Sequence, residues 1–248
     1  MNIKIDSSLS YFNEAINKKK SLTELSGRYP EDSGSEKYIF EDICQKLVFK
    51  KKFINLLDIG CGCGKLSYII INFLIKKKIK LYLCDFRKII FELKKKLRYK
   101  KINFISSDFL NYNFKNLKFD RILIYSVIQY SKNPKFFLNK AFSLLNKNGI
   151  LLIGDIPNID KKYRFLKSKI GQNIEKKRKI KTFDYKKLTV NYKSFLKNTN
   201  QNLLINDKLV KWVKKYFTKK GAKVLIYKQP SKLPFSYTRL DILIKKNA

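Results

Sequence analysis

Ile54-Asn55-Leu56-Leu57-Asp58-Ile59-Gly60-Cys61-Gly62-Cys63-Gly64-Lys65-Leu66-Ser67 is the stretch whose reading decides the fold. Ile54 to Ile59 is a short, mostly apolar run, the pattern of a strand covered on both faces. Gly60, Gly62 and Gly64 then remove side chains where the backbone must turn sharply or approach a ligand. The dinucleotide fingerprint needs a third glycine where this chain has Lys65. A phosphate loop fails too, since Ile59 stands where its first glycine belongs and Leu66 where its Ser or Thr belongs. A small molecule on the turn, or a tight strand-to-helix turn with no ligand, is what remains from these residues alone.

Outward from the turn, strands and helices alternate. Leu66, Ile69, Ile70, Phe73 and Leu74 recur at helical spacing, so the amino end of a helix, with its N–H groups and positive dipole end, faces the ligand. A second strand, Lys80 to Cys84, ends at Asp85, the position at which nucleotide-binding α/β folds accept ribose hydroxyls. Phe86 beside it can pack on an adenine ring. A helix through Ile90, Leu93 and Leu97 leads to a strand from Ile102 to Ser106, followed by Asp108. A further strand runs from Phe119 to Tyr125. Asn133-Pro134 caps the next helix, which Asn148-Gly149 is expected to end, and Ile150 to Pro157 reads as the fifth strand.

Before the turn, Ser7 or Ser8 can cap a helix to about Lys19, and Ser33-Gly34-Ser35-Glu36 has capping-box spacing before a helix to about Phe49. The turn-rich loop between them can close over the site through Arg28 or Tyr29; a plain surface connector is the alternative. After the fifth strand the rhythm breaks: from Lys161 to Lys187 there are twelve Lys or Arg against two acids, with Tyr163, Phe165, Phe183 and Tyr185 interleaved. Regularity returns with Asn206-Asp207 capping a helix through Phe217, then strands Ala222 to Tyr227 and Leu240 to Ile244.

These elements predict an α/β chain with a Rossmann-like, doubly wound, mostly parallel sheet of seven strands and an antiparallel last strand. The organisation expected is a helical cap at 1–50, a ligand-binding core at 51–157, a basic insert or substrate lid at 158–205, and a final helix and strands at 206–248. Ligands of such sheets bind at the carboxyl ends of the strands, where Gly60, Asp85, Asp108, Ser126 and Asp155 all fall.

The hydrophobic-Asp-hydrophobic-Gly-x-Gly-x-Gly pattern at 57–64 resembles the first motif of class I S-adenosylmethionine-dependent methyltransferases, and the likeness extends over about residues 50 to 157, and in outline over 206 to 246. It implies S-adenosylmethionine as cofactor and S-adenosylhomocysteine as product, with Asp58, Gly60, Cys61, Gly62 and Gly64 around the amino-acid end. It further implies Asp85 and Phe86 on the ribose and adenine, Asp108 on the exocyclic amine of adenine with Phe109 beside it, and Ser126 and Val127 bordering the sulfur. Transfer to oxygen needs a base; Asp155 is the favoured candidate, with Tyr130 and Tyr29 behind it. The strings Tyr125 to Tyr130 and Gly154 to Pro157 look more like methyltransferases of small metabolites, sugars or surface-glycan precursors than like base-modifying enzymes, which carry an Asn-Pro-Pro-Tyr type sequence.

The chain of 248 residues carries 56 Lys and Arg against 19 acids, a formal charge of +37. Such charge attracts phosphate, but a chain rich in Lys, Asn, Ile, Phe and Tyr is also what an AT-rich genome writes, so a nucleic-acid partner is possible and not favoured. Four cysteines at no framework spacing and the absence of histidine argue for reduced thiols and no metal. No apolar run spans a bilayer and the amino terminus lacks a signal peptide's centre, so a cytoplasmic protein is expected. Three readings follow: a small-molecule methyltransferase acting on O or N, an RNA methyltransferase, or a non-catalytic binding subunit of the same fold.

Overall fold

The computed structural model describes residues 14, 16–18, 20–22, 24–26, 32–49, 54–97, 101–177, 191–198 and 205–247. The expected first helix lies mostly outside them, as do Arg28 and Tyr29. Among the described residues the chain opens on a 3-10 turn, Glu24–Ser26, and helix α1, Ser35–Leu47. Then β1 (Asn55–Ile59), α2 (Lys65–Lys76), β2 (Lys80–Asp85), α3 (Arg87–Lys96), β3 (Ile102–Ser106) and β4 (Phe119–Tyr125) alternate. A 3-10 turn, Ile128–Tyr130, leads to α4 (Pro134–Ser143) and β5 (Leu145–Pro157). Helices α5 (Ile159–Lys167), α6 (Lys169–Lys177) and α7 (Tyr192–Asn198) precede α8 (Asp207–Lys219), β6 (Ala222–Lys228) and β7 (Arg239–Lys246).

The sheet has seven strands in the order β3-β2-β1-β4-β5-β7-β6. The first five pair in parallel and β7 is antiparallel to β5 and to β6. Its two faces follow from the period of two along each strand. Leu57, Ile59, Ile122, Ile124, Leu151 and Ile153 face the side covered by α4 and α8. Leu56, Leu81, Leu83, Leu123 and Leu152 face the side of α1, α2 and α3. Each such side chain contributes about 1.5 to 3 kcal/mol on burial.

Two local expectations are corrected. The α1 cap is Gly34, at φ 94 and without a side-chain cap bond, and not Ser33. Glu36 does reach back, its Oε2 accepting the Gly34 N–H at 3.0 Å, so half of the capping box forms. The α1 carbonyls at the other end are met from the sheet, where Arg121 donates through Nε to the Leu47 carbonyl at 2.5 Å and through Nη2 to that of Val48 at 3.1 Å. In the second correction α4 stops at Ser143, and β5 already begins at Leu145, which pairs with Phe119 before a register shift. Asn148, at φ 60, sits in the irregular start of the strand and does not end a helix.

A chain of buried charges ties α1 to the far half of the sheet. Lys46 bonds Asp42 and, at 2.5 Å, Asp241 Oδ2. Asp241, wholly buried, accepts the Asp155 N–H at 2.7 Å and Gln229 Nε2 at 3.0 Å through Oδ1. Removing the cation strands two carboxylates in a dry interior, a change that typically costs about 3 to 5 kcal/mol. Lys46→Met is therefore expected to lower the thermal midpoint by about 6 to 15 °C, read by circular dichroism, whereas the exposed Lys147→Met should leave it in place; equal midpoints for both variants would show that the chain carries no stability.

Candidate functional site

The site is the carboxyl edge of the parallel strands, and the register brings its parts level. Ile59 pairs with Cys84 and with Ile124, Asp85 with Ser106, and Tyr125 with Gly154. Gly60, Asp85, Ser107-Asp108, Ser126 and Asp155 thus leave the sheet along one line.

Gly60 has φ 73, and a Cβ there would come within 2.4 Å of Val127 Cγ2. Both backbone and space demand glycine. Gly62, at φ 63, donates its N–H to Asp85 Oδ2 at 2.8 Å, and Phe86 N–H meets Asp85 Oδ1 at 2.8 Å. Ser67 Oγ on α2 donates to the Cys61 carbonyl at 2.5 Å. The glycine turn is thereby pinned between the end of β2, Val127 just past β4 and the first turn of α2. Gly64 is the residue before α2 and is extended, at φ −92.

Two carboxyls lie under this turn. Burial and then the nearby Asp85 charge push Asp58 up to about 8, so it is protonated at neutral pH. Burial raises Asp85 to about 6, against the pull of the Gly62 and Phe86 N–H bonds. Asp85 is therefore largely ionised at pH 7 and its oxygens accept. Burial pushes the Cys63 thiol to about 11 and that of Cys61 upward, which keeps both as unreactive thiols. Among the described residues no group of three His, Cys, Asp or Glu could hold a metal, and no helix is long and apolar enough to cross a membrane.

Asp108 turns the chain after β3, its Oδ1 accepting the Leu110 N–H at 2.7 Å. Phe109 does not line the edge with its ring: it is buried, 4.8 Å from Phe137 and 5.6 Å from Phe114. Phe86 packs at the margin of the α1–α3 core. Tyr130 is exposed at 38 % on the turn after β4.

Asp155 is placed otherwise than expected. It is at the strand end, at φ 56 and 1 % exposed, but its Oδ2 is ion-paired with Arg239 Nη1, and Gln229 Nε2 lies 3.4 Å from Oδ1. The carboxylate is thus engaged within the fold, bridging the end of β5 to the start of β7 as a strut does. The partners come from β7 and the segment before it, more than seventy residues on, which is why the local sequence gives no sign of them.

Two side chains at the edge carry no sequence signal. Arg239 also reaches Ser126 Oγ at 3.5 Å and lies over the Phe235 ring at 4.8 Å. Gln129 donates from Nε2 to the Ser126 carbonyl at 2.8 Å and to Ser126 Oγ at 3.3 Å. With its amide so oriented, the buried Gln129 Oε1 is an acceptor with no hydrogen-bond partner. The strained Ser126, at φ 57, organises both.

The described parts of the basic insert are anchored. Ile159, Leu166 and the fully buried Phe195 form a small core of their own. Asp160 Oδ2 accepts the Asp207 N–H at 2.8 Å, Arg164 pairs with Asp207 at 2.7 Å, and Phe165 stacks on Tyr237 at 5.1 Å. The segment between residues 178 and 190, including Phe183 and Tyr185, lies outside the described residues.

Asp58 supplies a pH test. Its pKa is raised on folding, so its contribution is present below about 4 and is lost as pH rises through about 8. Between pH 6 and 9 the chain should lose more stability in urea titrations than Asp58→Asn does; parallel curves would place the charge elsewhere.

A family model described as a methyltransferase domain matches residues 50–217. Among solved structures, the plantazolicin methyltransferase BpumL, crystallised with a triazolic desmethylPZN analog and SAH, aligns over 100% of this chain and 97% of its own at 19% identity and a TM-score of 0.65. The N-methyltransferase NodS from Bradyrhizobium japonicum WM9, in complex with S-adenosylhomocysteine, aligns over 88% and 90% at 11% identity, TM-score 0.53. A putative S-adenosylmethionine-dependent methyltransferase from Methanococcus maripaludis aligns over 96% and 94% at 17% identity, TM-score 0.55. At such identities these likenesses speak for the fold. No curated protein matches the sequence.

Proposed function

The chain belongs to the methyltransferase-domain family, and on that premise we propose that it transfers a methyl group from S-adenosylmethionine to a nitrogen or oxygen atom of a small molecule. The observation that carries this reading is the single line of strand ends in which a side-chain-free turn at Gly60 and Gly62 is bonded directly to Asp85. The bound structural neighbours NodS and BpumL carry S-adenosylhomocysteine on the same fold.

The residues fit such a cofactor. The left-handed turn exposes backbone where a side chain would block an amino-acid group, and the amino end of α2 turns its positive dipole end toward a carboxylate. The ionised Asp85 has acceptor capacity left after two backbone bonds and suits ribose hydroxyls. Asp108, one strand over, suits an exocyclic amine. When bound, S-adenosylmethionine supplies an electrophilic methyl group on a cationic sulfur that leaves as a neutral sulfide. The protein's part is then alignment, for which rigid strand ends are suited.

On the acceptor side, Asp155 is occupied by Arg239, which supports an acceptor that needs no base, such as an amine arriving unprotonated. The unpartnered Gln129 Oε1 suits an N–H donor of that acceptor. Tyr130, at the same edge, can pack against it. The strings around Ser126 and Asp155 support a metabolite, with sugar or surface-glycan precursors included in that class.

The cofactor assignment is checked by calorimetry with S-adenosylhomocysteine. Asp85→Ala is expected to weaken binding about 100-fold, the loss of two hydrogen bonds to a charged group. Because Asp85 protonates near 6, affinity should fall as pH drops below 6, and the fall should vanish in Asp85→Asn. Unchanged affinity in Asp85→Ala sinks the assignment. For the acceptor, labelled methyl from S-adenosylmethionine is expected to appear on members of a panel of amines and amino sugars, and Gln129→Met to raise KM more than it lowers kcat; label recovered solely on RNA would refute a small-molecule acceptor.

A further inference from the structure

We propose that the paired surfaces of α4 and α8 form a docking site for single-stranded nucleic acid, distinct from the methyl-transfer site and resting on no part of that reading. The net charge of the chain does not carry this, because lysine is spread along the whole sequence. What carries it is where acids are missing and where aromatic rings lie.

Helix α8 has an outer face of exposed Lys208, Lys211, Lys214, Lys215 and Lys219. Its only acid, Asp207, is taken by Arg164 and Asn158, and α4 has no acid at all. Between the two helices a groove of about 360 Å³ is lined by Lys132, Asn133, Lys135, Asn206, Lys208 and Trp212 among its residues. Trp212 of this lining is stacked on Tyr216, one turn further along α8, with ring centroids 4.6 Å apart and planes at 20°. Lys135 lies over Trp212 at 5.1 Å and Lys220 over Tyr216 at 4.7 Å. Both aromatics are half-buried, so their rings are fixed while part of each remains open.

A positive groove with an aromatic ring in its wall, continued along the helix by a second ring and flanked by cations, is the kind of arrangement that holds unpaired bases without reading their sequence. The large exposed apolar side chain of α4 is also aromatic, Phe136 at 55 %, and neither helix exposes a large aliphatic one. A membrane-binding helix lays a whole apolar face of Trp, Phe or Leu into the lipid, whereas the apolar faces of these two helices, Val210, Val213 and Phe217 on α8 and Phe137, Leu138 and Phe142 on α4, are buried, which favours a nucleobase partner over a lipid surface. The α8 helix is about 20 Å long, enough to lie along a few nucleotides. Asn158 Nδ2, just past β5, bonds Asp207 at 2.9 Å, which ties the start of α8 to the carboxyl edge of the sheet.

The chain has a single tryptophan, and it is in this groove. Its fluorescence is the readout in a titration of the full chain with a uridine oligomer of about ten nucleotides. Saturable quenching with Kd of about 1 to 100 μM near 0.15 M salt is expected, weakening steeply as salt rises. The triple variant Lys135→Glu, Lys208→Glu, Lys215→Glu should bind at least about tenfold more weakly with a shallower salt slope. Trp212→Leu, followed by filter binding, should lose several-fold in affinity at an unchanged slope, which charge alone would not produce. Unchanged thermal midpoints by circular dichroism show that both variants fold; if the unaltered chain fails to bind S-adenosylhomocysteine yet binds the oligomer, the methyl-transfer reading fails and this one stands. Absence of quenching overturns the proposal. So does equal competition by inorganic polyphosphate with no effect of Trp212→Leu, which leaves generic charge, and so does binding to phosphatidylglycerol vesicles without binding to the oligomer.

Discussion

At Gly60 three strand ends meet with no room for a side chain. The backbone leaves β1 left-handed at φ 73, Val127 from the end of β4 closes over it, and the Gly60 N–H donates to the Cys84 carbonyl of β2 at 2.8 Å. One residue pair further, Gly62 bonds Asp85. Close packing of this kind transmits strain and leaves few alternatives, so the direction in which α2 departs and the height at which Asp85 sits are set together. The rest of the edge is level with this point because parallel pairing carries the register from strand to strand.

The burial that makes the turn rigid also sets its electrostatics. Asp58 and Asp85 lie under the same backbone, and desolvation raises both, yet only Asp85 has backbone N–H groups aimed at its oxygens, which leaves it at about 6 while Asp58 reaches about 8. One carboxyl is thereby a neutral structural group and the other an acceptor at neutral pH. Across the sheet, the charges from Asp42 through Lys46 and Asp241 to Asp155 and Arg239 link α1, β7 and the end of β5. Helix α1 is thus connected to the carboxyl edge of the sheet through hydrogen-bonded ions and not only through apolar packing.

Much of the fold was legible because its signals are local. Strands β3 and β4 lie where alternating and apolar runs put them, and the Asn133 cap of α4 and the Asn206 cap of α8 form as their sequences imply. The misreadings arose where a local signal met a nonlocal one. Asn148-Gly149 has the chemistry of a helix end, but Leu145 is already paired with Phe119. Ser33 has the chemistry of a cap, but Gly34 takes the left-handed conformation there. Phe109 follows a ligand-edge acid, yet aromatic packing on Phe114 and Phe137 draws its ring inward.

What the sequence by itself determined is the doubly wound sheet, the glycine turn and the acid at the end of β2, since period, backbone freedom and spacing are properties of neighbouring residues. What only the tertiary structure decided is the role of groups whose partners are distant. Asp155 is a strut because Arg239 comes from eighty-four residues on. Gln129 is an open acceptor because Ser126 holds its amide, and a basic aromatic groove exists because α4 and α8 are laid side by side on one face of the sheet. Burial and charge pairing act through space, and no pattern along the chain encodes which distant side chain will complete them.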